Sequence, residues 1–278
     1  MTENYTEPVV QLLTMGETNI NDDRDYLGMG FTREHIPELI RMVEDEILRS
    51  LPVDEKGTSR PETYAQVHAW RVLAQLGAVE AIPALLGLLH FLDDENDDFV
   101  DEEIPEILGK LGQAAIEPCR AYLADQENGQ YARGAVALSL SEIGLNYPEN
   151  REACVQALIS SLENYENDDE TVNAFTLSYL SDLKSVEAAP LAEEMFAAGC
   201  VDESIAGDFE DYQIRVGLLE ERLTPWLAPR LPFPSLGWER ELHTAGAPYK
   251  PQLSKEKAKK EKAKAKQAKK ARKKNKKR

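Results

Sequence analysis

The sequence predicts an all-α fold, a solenoid in which pairs of antiparallel helices stack along the chain. Apolar residues recur at helical spacing through most of the first 224 positions. A leucine also precedes a proline by seven positions three times, at Leu76 and Pro83, Leu111 and Pro118, and Leu183 and Pro190. The prolines are 35 and then 72 residues apart, which indicates a repeat of about 36 residues with one degenerate copy.

The N-terminal region contains two predicted helical segments ahead of the repeats. Residues 7–15 form a short amphipathic segment that ends at Gly16. Thr32 is a candidate N-cap for a longer helix whose apolar stripe continues to Ile47, with Pro37 in its first turns. A loop is expected from residue 52 to residue 61.

Four helix pairs are predicted from the apolar stripes that follow. They cover residues 67–74 and 82–92, 100–111 and 116–123, 131–143 and 155–162, and 172–183 and 191–198. We expect the repeated proline in the first turn of each second helix, because a missing amide N–H costs little there. A last helix over residues 208–222 is expected to cap the stack.

The recurring Leu-Gly-x-x-x-Ala-Ile-Pro turn, the two helices per copy and the alanine-rich helices resemble HEAT-like repeats, in particular the short bacterial kind also found in phycobilin lyases. The motifs within residues 30–37, 68–71, 101–105 and 201–211 resemble those of an uncharacterised group of bacterial HEAT-repeat proteins. That resemblance covers residues 5–224. Some of those relatives end in a zinc module of the SEC-C type, but no cysteine follows Cys200 in this chain. The resemblance therefore carries over no zinc site.

The charge is divided unevenly along the chain. The net charge is −18, yet residues 255–278 hold 15 Lys or Arg and 2 Glu, so the rest of the chain carries a net charge of −31. The acidic body is expected to repel nucleic acid, whereas the basic tail is expected to attract it. No signal peptide and no membrane-spanning segment are predicted, so we expect a cytoplasmic protein without membrane insertion.

The C-terminal part is predicted as a Pro-rich linker over residues 225–254 and a disordered Lys/Ala-rich tail over residues 255–278. The densest charge gives five candidate partner-binding residues, Lys269, Lys270, Arg272, Lys273 and Lys274. Three roles stay open for the tail. It is an unconstrained segment, an arm that binds RNA or the ribosome through phosphates, or a counter-charge for the acidic body.

An acidic run between the first two repeats supplies further candidates, Asp93, Asp94, Asp97 and Asp98. A calcium loop of the EF-hand type that starts at Asp93 would need Gly at position 6 and Glu at position 12, where Asp98 and Ile104 stand. We expect a solvated loop that leads into a helix N-terminus, where carboxylates are favoured. A weak cation site or a contact with a basic partner remains the alternative.

His68 and Arg71 are the last two candidates. Trp70 lies on the apolar stripe and is expected in the core, whereas His68 and Arg71 are one helical turn apart on another side. Both are expected to bond neighbouring carboxylates within the fold, with recognition of a partner as the alternative.

The motifs of several enzyme classes are absent from the sequence. None of the four histidines is followed by Glu, and the sequence has no Gly-rich phosphate loop, no G-x-S-x-G and no HExxH. We expect no catalytic residue, cofactor or metal, and we expect Cys119, Cys154 and Cys200 to be buried or half-buried thiols. The predicted function is a non-enzymatic adaptor. The second helices would bind a protein partner, and the tail would bind RNA, the ribosome or another acidic surface. The alternative is an enzyme or chromophore lyase on a HEAT-like scaffold.

Overall fold

The computed structural model describes residues 5–20, 22–51 and 60–225. Within these ranges the chain is all-helical and contains no strand, which confirms the predicted fold class at that level. All of these residues belong to one unit, Met1–Pro229. The predicted linker beyond Pro225 and the predicted tail lie outside the described residues.

Thirteen α-helices occur in the described part of the chain, joined by short 3-10 segments. Their bounds are α1 Ile36–Val43, α2 Glu46–Arg49, α3 Ala65–Gln75, α4 Ile82–Leu88, α5 His90–Asp94, α6 Asp98–Leu111, α7 Gln113–Ala124, α8 Gln130–Asn146, α9 Arg151–Ser161, α10 Glu170–Asp182, α11 Ala189–Ala198, α12 Glu203–Ala206 and α13 Phe209–Val216. The predicted pairs correspond to α3 with α4 and α5, α6 with α7, α8 with α9, and α10 with α11.

The helices α6, α8 and α10 run parallel and close together. Near the start of α8, a Cβ at Gly134 would lie 2.7 Å from the Phe175 ring on α10, and near its end one at Gly144 would lie 2.7 Å from Leu183. Likewise, a Cβ at Gly109 on α6 would lie 2.7 Å from the Cβ of Glu142. A Cβ at any of these positions would force the neighbouring side chain to shift, so the glycines permit the close approach of the helices.

The turn that defines the repeat has the same geometry in its first and last copies. Gly77 and Lys184 follow the last turn of α3 and α10 with φ of 58° and 56°. In each copy an arginine from an earlier element donates to the leucine carbonyl before that residue, Arg33 to Leu76 and Arg151 to Leu183. Each arginine also pairs with the glutamate of the Val-Glu-Ala motif, Glu80 or Glu187 respectively. The sequence repeat is thus also a repeat of contacts.

Two details of the predicted elements are wrong. Pro118 lies inside α7 and not in its first turn, because the second copy enters its second helix directly from Gly112, whose φ is 64°. The predicted helix that continues to Ile47 is interrupted after Val43, since Asp45 accepts a hydrogen bond from the amide of Ile47 and starts α2. Ile47 is consequently exposed. Pro37 and Thr32 do act as predicted, in the first turn of α1 and as the N-cap of the preceding 3-10 segment.

The C-terminal helix is shorter than predicted. α13 ends at Val216, and the chain beyond it is held by Arg222, which pairs with Asp208, Glu210 and Asp211 around the start of the same helix. This arrangement closes the last helix with charged side chains on its outside, as terminal repeats require.

A single apolar cluster extends through the described elements, from Tyr5 to Val216. Trp70 is buried in it, as predicted. Cys119 and Cys154 are buried and Cys200 is half-buried, which confirms the expectation for the thiols. Burial raises the pKa of the Cys119 thiol to about 12 and that of Cys154 to about 11. Both are therefore protonated and act as small apolar groups.

Candidate partner-binding surfaces

His68 is fully buried on α3 and bonds inside the fold. Its Nε2 lies 3.0 Å from the Gly16 carbonyl oxygen, and its Nδ1 lies 2.7 Å from the Tyr26 hydroxyl. A carbonyl only accepts, so Nε2 carries the proton and Nδ1 accepts from Tyr26. Burial lowers the pKa of His68, which keeps the ring neutral at pH 7. The expected bond to a carboxylate is wrong for His68, because a hydroxyl and a carbonyl occupy its two ring nitrogens. His68 thus joins the N-terminal segment to α3 and offers no surface to a partner.

Arg71 is also enclosed, and its partners include the carboxylate expected from the sequence. Its Nε donates to Glu103 Oε2 at 2.9 Å and its Nη2 to Glu103 Oε1, while Nη1 donates to the Thr18 hydroxyl at 2.6 Å. Trp70 Nε1 donates to the same Glu103 Oε2 at 2.8 Å. We call Trp70, Arg71, Glu103 and Thr18 the buried arginine network. All three guanidinium nitrogens of Arg71 donate to partners inside the fold, which indicates a structural role.

The acidic run does not form one continuous loop. Asp93 and Asp94 end α5, and Asp98 begins α6. Asp93 accepts hydrogen bonds from the amides of Tyr131 and Ala132, both at 3.0 Å, so it caps the start of α8 from a neighbouring helix. Asp97 caps α6 through the amides of Phe99 and Val100, at 2.9 and 3.0 Å. The structure therefore assigns Asp93 and Asp97 to helix starts, although Asp93 remains exposed like Asp94 and Asp98.

Arg49 is the basic residue that faces this run. Its guanidinium carbon lies 3.3 Å from the centre of the Phe91 ring, and its Nη2 pairs with Asp97 at 2.5 Å and with Glu95 at 3.5 Å. Its Nε is buried and has no hydrogen-bond partner in the described part of the chain. The sequence motifs gave no indication of Arg49, because its partners are 40 or more positions away.

A second group of carboxylates acts on a pair of stacked aromatic rings on α10. Phe175 and Tyr179 on α10 stack with ring centroids 6.5 Å apart and an interplanar angle of 12°. Three carboxylates act electrostatically on Tyr179, Asp101 on α6, Glu142 on α8 and Asp182 on α10. We call these five residues the acidic aromatic face. Both rings are half-buried, and Asp101 and Asp182 are exposed.

Negative charge dominates the electrostatics of the acidic aromatic face. Desolvation, followed by Asp182, Asp101 and Glu142, raises the pKa of Tyr179 to about 12. Desolvation and the neighbouring Glu102 and Asp98 raise the pKa of Asp101. Desolvation raises the pKa of Asp182 too, although Arg215 and Lys184 counteract it. A cation placed against this face would gain from both the carboxylates and the rings.

Sequence reasoning missed the acidic aromatic face. Phe175 and Tyr179 stand four positions apart on the apolar stripe of α10, and this spacing was interpreted as core. One feature of the sequence could have indicated this face, namely Gly134 within the alanine-rich α8. Because Gly134 has no side chain, it leaves room for the Phe175 ring. The exposed residues of the second helices include pairs that neutralise each other, such as Glu117 with Arg120 on α7. The expectation that the second helices bind the partner stays a prediction.

The five basic candidates of the predicted tail lie outside the described residues. They are Lys269, Lys270, Arg272, Lys273 and Lys274. Within residues 5–20, 22–51 and 60–225, no three His, Cys, Asp or Glu side chains are arranged to hold a metal ion. No helix among the described residues has the length and apolar character needed to cross a membrane.

The chain was compared with protein-family models, with curated proteins and with solved structures, and none of the three comparisons gave a match.

Proposed function

We propose that this protein is a non-enzymatic scaffold built on a HEAT-like solenoid, and that its acidic aromatic face binds a basic segment of a partner protein. Its lysine tail binds RNA or the ribosome. The observation that carries the proposal is that the charges of Asp101, Glu142 and Asp182, from three separate helices, all act on Tyr179, whose ring stacks on that of Phe175.

The chemistry of this face matches a lysine or arginine side chain. A cation within about 6 Å of an aromatic ring contributes about 0.5–2 kcal/mol, and the carboxylates add an attraction that weakens with salt. The raised pKa values of Asp101 and Asp182 mean that their ionised forms are disfavoured in the free protein. A partner cation would offset this free-energy cost. Binding is therefore expected to release protons at pH values near those pKa values.

The repeat architecture supports the scaffold part of the proposal. Stacked helix pairs build extended surfaces, and each pair contacts mainly its neighbours. The parallel α6, α8 and α10 and the turn shared by residues 76–83 and 183–190 are features of such an array. The tail supports the second part, because 15 basic residues in 24 positions bind phosphates without sequence preference.

The binding face is tested by charge reversal. Asp101→Lys with Asp182→Lys is compared with a matched control, Glu152→Lys with Glu163→Lys, which changes the net charge equally on exposed positions near α9. Quantitative affinity capture from lysate should lose a defined set of basic proteins with the first variant and retain it with the second. Equal capture by the two variants would refute partner binding at the acidic aromatic face.

The tail is tested separately by deleting residues 255–278 and repeating RNA and ribosome co-sedimentation at low and moderate salt. Binding that decreases steeply with salt and disappears with the deletion is expected. Unchanged co-sedimentation would refute the tethering role. A pigment or metal that co-purifies in stoichiometric amount would instead favour the chromophore lyase or another enzyme.

A further inference from the structure

A cavity of about 410 Å³ lies beside the acidic run, on a surface separate from the acidic aromatic face. It lies between the segment that joins α1 to α2 and the second helix of the first repeat, α4 with α5. Gln66 fixes one side of it, because its Nε2 donates to the carbonyls of Val43 and Asp45, at 2.7 and 3.1 Å, where α1 ends.

The walls of this cavity are mainly apolar. They include Val43, Pro83, Ala84, Leu88 and Phe91. Gly87 lies on the wall formed by α4, and a Cβ added there would meet no atom within 4 Å. The absence of a side chain at this position therefore leaves part of the cavity open. The volume is within the range that accommodates one or two large side chains of a ligand.

The rim of the cavity is acidic. Three exposed glutamates line it, Glu44, Glu46 and Glu95. The one arginine among the lining residues, Arg49, is already paired with Asp97 and Glu95 and stacked on Phe91. Its positive charge is thus neutralised by the fold, and the excess charge at the mouth is negative. A ligand with positive groups beside an apolar group fits both the rim and the walls.

We propose that this cavity binds a short peptide segment of a partner protein, in which one large apolar side chain is flanked by lysine or arginine. The apolar side chain enters between α2 and α4, and the basic side chains contact Glu44, Glu46 and Glu95. This proposal rests on the scaffold function. Its cavity is a different surface from the acidic aromatic face, so an experiment can refute binding at one surface without refuting binding at the other.

The first test fills the cavity. Gly87→Leu adds a side chain to open space and replaces a helical glycine by a better helix former, so folding is preserved. Ala121→Leu, on the exposed side of α7, is the matched control. The probe is a fluorescein-labelled Lys-Arg-Phe-Leu-Lys-Arg peptide, titrated with the full chain by fluorescence anisotropy. Gly87→Leu is expected to weaken binding at least tenfold, and Ala121→Leu is expected to leave it unchanged.

The second test separates the rim from the walls. Glu46→Lys with Glu95→Lys should weaken the same peptide at least tenfold, with a smaller salt dependence than the unmodified chain shows. A peptide in which Ser replaces both Phe and Leu should bind at least tenfold more weakly to the unmodified chain. If the Ser peptide binds equally well, or Gly87→Leu binds as the unmodified chain does, the proposal is overturned.

The third test identifies the occupant. A photoreactive benzoylphenylalanine replaces Ser50, an exposed residue of the lining, and the purified full chain is irradiated with and without the peptide. Cross-links to the added peptide support the proposal. Cross-links only to this chain, at residues 52–59 or 226–278, or to a second copy of it, overturn the proposal. If the peptide does not cross-link but the Asp101→Lys with Asp182→Lys variant still loses its captured partners, the cavity proposal fails and the scaffold function stands.

Discussion

Arg71 and Arg49 are two arginines that both bind carboxylates at the start of α6 but differ in what surrounds them. Arg71 is 9% exposed, and its Nε, Nη1 and Nη2 all donate to partners within the buried arginine network. Arg49 is 14% exposed, its Nε has no hydrogen-bond partner in the described residues, and its guanidinium covers the Phe91 ring beside an open cavity. The first site is closed and structural, whereas the second still adjoins space for a ligand.

This difference shows why an arginine and an acidic cluster do not by themselves indicate a binding site. Glu103 receives three hydrogen bonds from Trp70 and Arg71, so its charge is fully used inside the fold. Glu44 and Glu46, at the mouth of the cavity, are exposed. The number of partners that the fold already supplies decides whether a charged group is available to a ligand.

The largest expected effect is the loss of Glu103. Glu103→Ala removes the partner of a buried guanidinium, which costs about 3–5 kcal/mol of the free energy of unfolding. Denaturation in urea, followed by circular dichroism, measures it. The double variant Arg71→Met with Glu103→Leu should be less destabilised than Glu103→Ala, because it leaves no buried charge. A single-variant loss below about 1 kcal/mol would show that the network is solvated.

A smaller effect is expected at a second buried pair, Arg133 with Asp168. Burial opposes the charged form of Asp168, but the two hydrogen bonds from Arg133 outweigh it and lower the pKa of Asp168 below its usual 3.8. Asp168→Asn should cost about 1.5–3 kcal/mol at pH 7. Because the folded-state pKa is lowered, this contribution is present above the unfolded-state pKa and is lost as the pH falls through the folded-state value.

The measurement for Asp168 is therefore a series of unfolding free energies from pH 7 down to pH 3. The difference between the unmodified chain and Asp168→Asn should be constant at neutral pH and narrow below about pH 4. A difference that stays constant down to pH 3 would contradict the lowered pKa. Asp94→Asn, at an exposed position, is the control.

Arg49→Ala is expected to have a modest effect on stability and an opposite effect on binding. Loss of the contact with Phe91 and of the pair with Asp97 should cost about 1–2 kcal/mol. Removal of the positive charge of Arg49 from the lining should tighten binding of the Lys-Arg-Phe-Leu-Lys-Arg peptide a few-fold. Arg49→Lys keeps the positive charge. It should lower the free energy of unfolding without raising the affinity for the peptide. Weaker peptide binding to Arg49→Ala would mean that Arg49 itself contacts the ligand.

The smallest effect is expected at the repeated turn. Glu187 and Arg151 form an ion pair whose side chains are 45% and 33% exposed. Glu187→Gln should cost no more than about 0.5 kcal/mol in the same urea measurement, because solvent and salt screen exposed pairs. Glu80→Gln, at the equivalent turn in the first repeat, should not differ measurably from the unmodified chain. A cost above 1 kcal/mol at Glu187 would show that the turn clamps neighbouring repeats.

The helix pairs were predictable because their apolar stripes are local and periodic. The stripe from Val67 to Leu73 and the burial of Trp70 follow from spacing alone. Errors occurred where a residue competes with the period, as at Asp45, which starts a new helix inside the predicted one. The position of Pro118 was predicted wrongly because the second copy lacks the 3-10 segment that leads into α4 ahead of Pro83.

The candidate sites were less predictable, because they depend on contacts between distant positions. His68 and Arg71 were identified as polar residues on an apolar helix, but their partners at Gly16, Thr18 and Glu103 are 32 to 53 positions away. Asp93 was interpreted as part of a solvated loop, although it caps a helix that begins 37 residues later. Spacing along the chain does not contain this information.

The sequence by itself determined the all-helical fold, the helix pairs and the separation of an acidic body from a basic tail, because helix period and net charge are properties of composition and order. The tertiary structure decided which charges are used inside the fold and which stay available. It buried Arg71 and made Asp93 and Asp97 the caps of two helix starts. It also brought the charges of Asp101, Glu142 and Asp182 to bear on Tyr179. Availability depends on solvation and on partners in space, which only the packed helices define.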